Sequence, residues 1–121
     1  MTTVLIVEDN PSQREMIASL LADKGLSITE ASDGVEGLAK IRDRCPDLVL
    51  LDIVMPKMNG YEFCRQIKSD PKTKNLPIVM CSAKAEDFDR YWGMKQGADA
   101  YIAKPFHPKE LFGTVKQLLR G

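Results

Sequence analysis

Hydrophobic and polar positions repeat at two different periods along this chain, and the periods alternate. Short aliphatic and β-branched runs at Val4-Leu5-Ile6-Val7, Ser27 to Ala31, Leu48-Val49-Leu50-Leu51, Ile78-Val79-Met80 and Ala100-Tyr101-Ile102 each predict a strand. The first and third are apolar throughout, as strands covered on both faces should be. Between the runs the spacing becomes helical. Met16, Ile17, Leu20 and Leu21 share one face, and Asn10-Pro11-Ser12-Gln13 offers an N-cap, a proline at the first helical position and a capping-box glutamine, so a helix is predicted from about 11 to 23. Leu111, Val115, Leu118 and Leu119 mark another apolar face after Pro108, and stretches near 34–44, 60–69 and 86–96 supply the remaining helices. Strands alternating with helices predict an α/β domain with a parallel sheet, (βα)5, spanning 1–121 as one unit. Asp70 to Asn75 reads as a turn-rich surface connection.

Composition narrows the function classes. A chain of 121 residues with 44% hydrophobic content can bury one core without staples. Lys plus Arg (17) equals Asp plus Glu (17), so no basic field exists to hold nucleic acid. Cys45, Cys64 and Cys81 lie far apart with no CxxC pair, which points to buried free thiols in a reducing compartment. Met1-Thr2-Thr3 leads directly into an apolar run with no signal-peptide pattern, so a cytoplasmic protein without membrane contact is expected.

In open parallel sheets, ligands bind beyond the carboxyl ends of the strands. Glu8-Asp9 follow the first run, Asp52 ends the third, Ser82 ends the fourth and Lys104 lies just past the fifth. Each has an ordinary explanation alone, as a cap, a turn former, a satisfied hydroxyl or a solvated charge. Together they place three carboxylates, a hydroxyl and an ammonium on one rim. Adjacent carboxylates repel unless a cation neutralises them, and oxygen donors without His or Cys suit Mg²⁺ better than zinc. The lone His107, between Phe106 and Pro108, is expected to cap a helix or face solvent.

Four segments resemble the receiver domains of response regulators, the CheY-like family: Val4 to Asp9, Leu51-Asp52-Ile53-Val54-Met55-Pro56 with Gly60 closing the loop, Met80-Cys81-Ser82-Ala83, and Ala103-Lys104-Pro105-Phe106. The resemblance covers essentially the whole chain. It implies a flavodoxin-like doubly wound sheet of strand order 2-1-3-4-5. It also implies that Asp52 is a phosphoacceptor for a histidine kinase or phosphotransfer domain rather than the centre of an enzyme. Asp9, Asp52 and the Val54 carbonyl would hold Mg²⁺, with Glu8 acting through a bound water. Lys104, the Ser82 hydroxyl and the Ala83 N–H would take phosphoryl oxygens. Ser82 and Tyr101 would form the switch, read by a protein target on the face of the fourth helix, fifth strand and fifth helix. The Lys104-Pro105 bond would be cis.

Two positions in such domains border the path of a hydrolytic water, and here they hold Val54 and Lys84, which predicts slow loss of phosphate. Phe88, Tyr91, Trp92 and Met94 divide evenly between core and docking-patch roles. The segment from Asp89 to Tyr101 is similar to stand-alone receivers of the PilH type, which implies a chemotaxis-like motility or phototaxis pathway, with a phosphate sink or a constitutive binder as alternatives. A flavodoxin-type carrier would need a phosphate-binding loop where Glu8-Asp9 stand, and a haloacid-dehalogenase-type phosphatase would need a second aspartate two residues after the first.

Overall fold

A computed structural model describes residues 1–120. In chain order the elements are β1 (Thr3–Val7), α1 (Pro11–Ala22), β2 (Ser27–Ala31), α2 (Gly34–Asp43), β3 (Leu48–Leu51), α3 (Gly60–Ser69), β4 (Ile78–Ser82), α4 (Asp87–Lys95), β5 (Ala100–Ala103) and α5 (Pro108–Arg120). All five strands are parallel in the order β2-β1-β3-β4-β5, with β1 registered on β3 from Val4↔Leu48 to Val7↔Leu51. Boundaries differ from the sequence expectation by a residue or two, where capping decides the last turn.

Side chains of successive strand residues point to opposite faces, so each apolar run feeds two cores. Leu5, Val7, Val49, Leu51, Ile78 and Met80 meet α2 and α3 through Leu38, Ile41, Phe63 and Ile67. Val4, Ile6, Leu48, Leu50, Val79 and Cys81 meet α1 and α5 through Ile17, Leu21, Leu111 and Val115. The three-layer arrangement leaves only the strand ends open to carry chemistry.

Several sequence expectations are corrected. Met16 is exposed rather than buried with Ile17 and Leu21, because it lies beyond the edge of the α1 stripe that meets the sheet. Cys64 and Cys81 are buried, with burial pushing their thiols up to about 11 and about 12, whereas Cys45 is exposed in the turn after α2. Phe88, Tyr91, Trp92 and Met94 are all exposed, and in α4 only Gly93 is buried, so the core role for that cluster fails. His107 is exposed, and its Nδ1 accepts from the Lys109 N–H at 3.1 Å, placing it at the start of α5. No helix among the described residues is long and apolar enough to cross a membrane.

Candidate functional site at the carboxyl ends of the strands

Asp52 follows the last residue of β3, and its own N–H donates to the Val7 carbonyl at 3.2 Å, which aligns the ends of the two central strands. Its Oδ1 accepts from the Ile53 N–H at 2.6 Å and the Val54 N–H at 3.3 Å. Its Oδ2 faces Lys104 Nζ at 3.1 Å. The carboxylate is therefore fixed on one oxygen by backbone and on the other by a cation. Gly60, first residue of α3, lies against this turn and donates its N–H to Ile53 at 2.8 Å. A Cβ there would stand 2.5 Å from the Asp52 carbonyl oxygen and 2.8 Å from Ile53 Cα, so only glycine allows the approach.

Lys104 follows β5, positioned by its N–H donating to the Ser82 carbonyl at 2.9 Å, and the Lys104-Pro105 bond after it is cis. Its ammonium donates to Glu8 Oε1, to Gln13 Oε1 at 2.5 Å and to Asp52 Oδ2. Glu8 is almost wholly buried; burial pushes its carboxyl up, opposed by Lys104 and by the Asn10 N–H donating to Oε2 at 3.2 Å. Burial acts downward on Lys104, yet its pKa is raised, because the Glu8 hydrogen bond and the Asp52 and Glu8 charges outweigh it.

Glu8, Asp52 and Lys104 come together through their side chains and Ser82 joins Lys104 through its backbone carbonyl, but Glu8 is turned onto Lys104. No group of three or more acidic, His or Cys side chains converges as metal ligands among the described residues. The expected trio of carboxylates is thus corrected to an exposed Asp9 beside β1, a half-buried Asp52 and a Glu8 already paired. Two carboxylates and a carbonyl with room for waters still fit Mg²⁺, which binds through few protein oxygens and keeps much of its hydration. The exposed Val54 offers that carbonyl, which accepts no protein hydrogen bond among the described residues.

Ser82 is buried at the end of β4, its Oγ accepting from the Lys84 N–H at 3.2 Å, while Ala83 beside it is exposed. Tyr101 is half-buried, and its hydroxyl donates to the Lys84 carbonyl, tying β5 to the β4–α4 loop. Burial, with the neighbouring Tyr61 and Asp89, pushes its phenol up to about 12.

Gln13 is the site residue that the sequence reading missed. Asn10 caps α1 as predicted, accepting from the Gln13 N–H at 3.0 Å, but the Gln13 side chain does not return to the cap. It goes to the Lys104 ammonium, since a charge-assisted bond is stronger than one to an amide. The Asn10 N–H is served by Glu8 instead. The available signal was its place, in the first turn of the helix that follows β1.

Comparison with known proteins agrees with this geometry. The response regulator receiver domain family matches residues 4–116, and the chain belongs to that family. It is 36% identical to the protein PilH of Pseudomonas aeruginosa over 121 residues, all of both chains. It is 42% identical over 117 residues to the DNA-binding response regulator MtrA of Mycolicibacterium smegmatis, covering 97% of this chain and 50% of MtrA. The chain therefore spans about half the length of MtrA and the whole of PilH. Among solved structures, chemotaxis response regulator CheY4 of Vibrio cholerae superposes with a TM-score of 0.91 at 33% identity, covering 98% of each chain. The signal receiver domain of a histidine kinase from Syntrophus aciditrophicus gives a TM-score of 0.94 at 32% identity, covering 100% of this chain and 92% of that one. The flavodoxin-like fold and a receiver role in two-component signalling follow.

Proposed function

We propose that Asp52 accepts a phosphoryl group from a phosphohistidine on a partner kinase or phosphotransfer domain, and that the modified domain changes its binding to a downstream protein. The observation that carries this is the Asp52 carboxylate, fixed by two backbone N–H groups and faced by the half-buried Lys104 at the open end of the sheet. An Asp52 oxygen forms the new O–P bond as the donor's N–P bond breaks. The departing imidazole takes the electron pair and a proton. Phosphoryl transfer needs in-line positioning and charge neutralisation, and Lys104 supplies one positive charge at the acceptor. Asp9, Asp52 and the Val54 carbonyl would hold Mg²⁺, which when bound supplies further neutralisation of the transferring oxygens, with Glu8 behind them.

The product carries roughly two negative charges. The Ser82 hydroxyl and the Ala83 N–H would receive them, and moving Ser82 would disturb the Lys84 loop that Tyr101 holds. The resulting change would reach the face of α4, β5 and α5, where the exposed Phe88, Tyr91, Trp92 and Met94 present a docking patch. Val54, exposed beside Asp52, and Lys84 would hinder an attacking water and prolong the modification. End-to-end similarity to PilH favours a chemotaxis-like motility or phototaxis pathway in the cytoplasm. Incubation with acetyl phosphate and Mg²⁺, followed by intact mass measurement, should add one phosphoryl group to the wild type and none to Asp52→Ala. An unmodified wild type, or a modified variant, overturns the assignment.

A further inference from the structure

We propose that Gln13 is a positioning residue that holds Lys104 in the unmodified state and yields one of its N–H donors to the phosphoryl group. The inference rests on the phosphoacceptor reading above and adds a step to it. An ammonium has three N–H donors and no acceptor. In this structure each is used: one by Glu8 Oε1, one by Asp52 Oδ2 and one by Gln13 Oε1 at 2.5 Å. Lys104 is saturated, so it can bond an incoming phosphoryl oxygen only by giving up a partner.

The three partners differ in what their release costs. Glu8 is a buried carboxylate with a side chain 4% exposed, and parting from its cation would leave an uncompensated charge in the protein interior. Asp52 is the attacking nucleophile and stays beside the new phosphoryl group through its covalent bond. Gln13 is neutral, half-buried and carried on the first turn of α1, where its amide can turn to water at little expense. Gln13 is therefore the exchangeable partner. Its backbone supports this, because the Gln13 N–H is fixed by the Asn10 cap at 3.0 Å, leaving the side chain free to move while the helix stays in place.

Two consequences separate this role from a merely structural one. Gln13→Met keeps the length and the packing but removes the acceptor, so Lys104 is left with an unmet donor that an anion at Asp52 can satisfy. Affinity for beryllofluoride with Mg²⁺, used as a phosphoryl mimic, should rise about fivefold, the worth of part of one hydrogen bond to a charged group. Gln13→Glu puts a charged acceptor in the same place and should weaken binding by a similar factor. A structural role predicts a loss for both substitutions.

The test titrates beryllofluoride at fixed Mg²⁺ into the wild type and both variants, with urea denaturation to establish that each is folded. In parallel, NMR follows the Gln13 side-chain amide of the wild type, which should be ordered before the mimic binds and mobile after. Unchanged or weaker binding by a folded Gln13→Met, or an amide equally ordered in both states, overturns the proposal. A misfolded variant leaves the decision to the amide measurement, which needs no substitution. If the wild type takes up the mimic and only the Gln13 effects fail, the phosphoacceptor reading stands. If the wild type binds none, both fall together.

Discussion

Two acid–lysine clusters sit at opposite ends of the same sheet, and they are built on different terms. At the amino ends of the strands, Asp99 Oδ2 accepts from the Ile78 N–H at 2.8 Å and from Lys68 Nζ at 3.0 Å, while Lys68 also donates to the Leu76 carbonyl at 2.9 Å. Asp47 likewise accepts from the Thr3 N–H at 2.7 Å. Each charge there is committed to backbone, and the Lys68 and Asp99 side chains remain 20% and 37% exposed. At the carboxyl ends, the Lys104, Glu8 and Asp52 side chains are 14%, 4% and 13% exposed, and the lysine is committed only to side chains. A charge bonded to backbone clasps strands. A charge bonded to other side chains can exchange partners, and that rim is the one able to respond to an added anion.

Removing the cation of the responsive rim should have the largest effect. Lys104→Met leaves Glu8 buried and unpaired, and should cost about 3–5 kcal/mol at pH 8 in urea denaturation without divalent ions. The pH dependence has a definite sign. Burial already holds the Glu8 carboxyl above its usual value, and a group raised on folding gives stability below its unfolded pKa that is lost as pH rises through the folded one. Without Lys104 that folded pKa climbs further, so the deficit should shrink toward pH 5, where Glu8 takes up a proton.

Gly60→Ala comes next, at about 1–3 kcal/mol, because its Cβ would meet the Asp52 carbonyl and Ile53 backbone, and acetyl phosphate labelling should fall with it. At the clasping rim, Asp99→Ala strands the Ile78 N–H and should cost about 1–2 kcal/mol while leaving phosphoryl uptake at the wild-type rate. Uptake that falls as far for Asp99→Ala as for Gly60→Ala would erase the distinction between the rims. The smallest change should be a gain. Gly113 lies inside α5 on neither rim, and a Cβ there meets nothing within 4 Å, so Gly113→Ala should stabilise by about 0.5–1 kcal/mol in the same assay.

The fold was legible because the apolar runs of β1, β3 and β4 are buried almost without remainder, and Leu48 to Leu51 leaves few alternatives to a central parallel strand. Glu8, Asp52, Ser82 and Lys104 were legible because strand ends have addresses in sequence. Partner choice was not. Nothing local distinguishes a Gln13 that closes a capping box from one that reaches Lys104, since the lysine lies 91 residues away and reaches it only through β1–β3–β4–β5 pairing. Met16 and the core alternative for the α4 cluster failed for a related reason: helical spacing identifies a stripe, but the width of the contact with the sheet sets which edge residues are covered.

Trp92 is the only tryptophan in the chain, and its ring lies near-parallel to Phe88, with centroids 6.4 Å apart and 4° between planes. It sits 40% exposed on α4, just past the loop that Lys84 and Tyr101 join. The molecule thus carries its one indole fluorophore at the place a loop shift would reach. Its emission would give a label-free optical record of such a shift, against a background with no second indole to subtract.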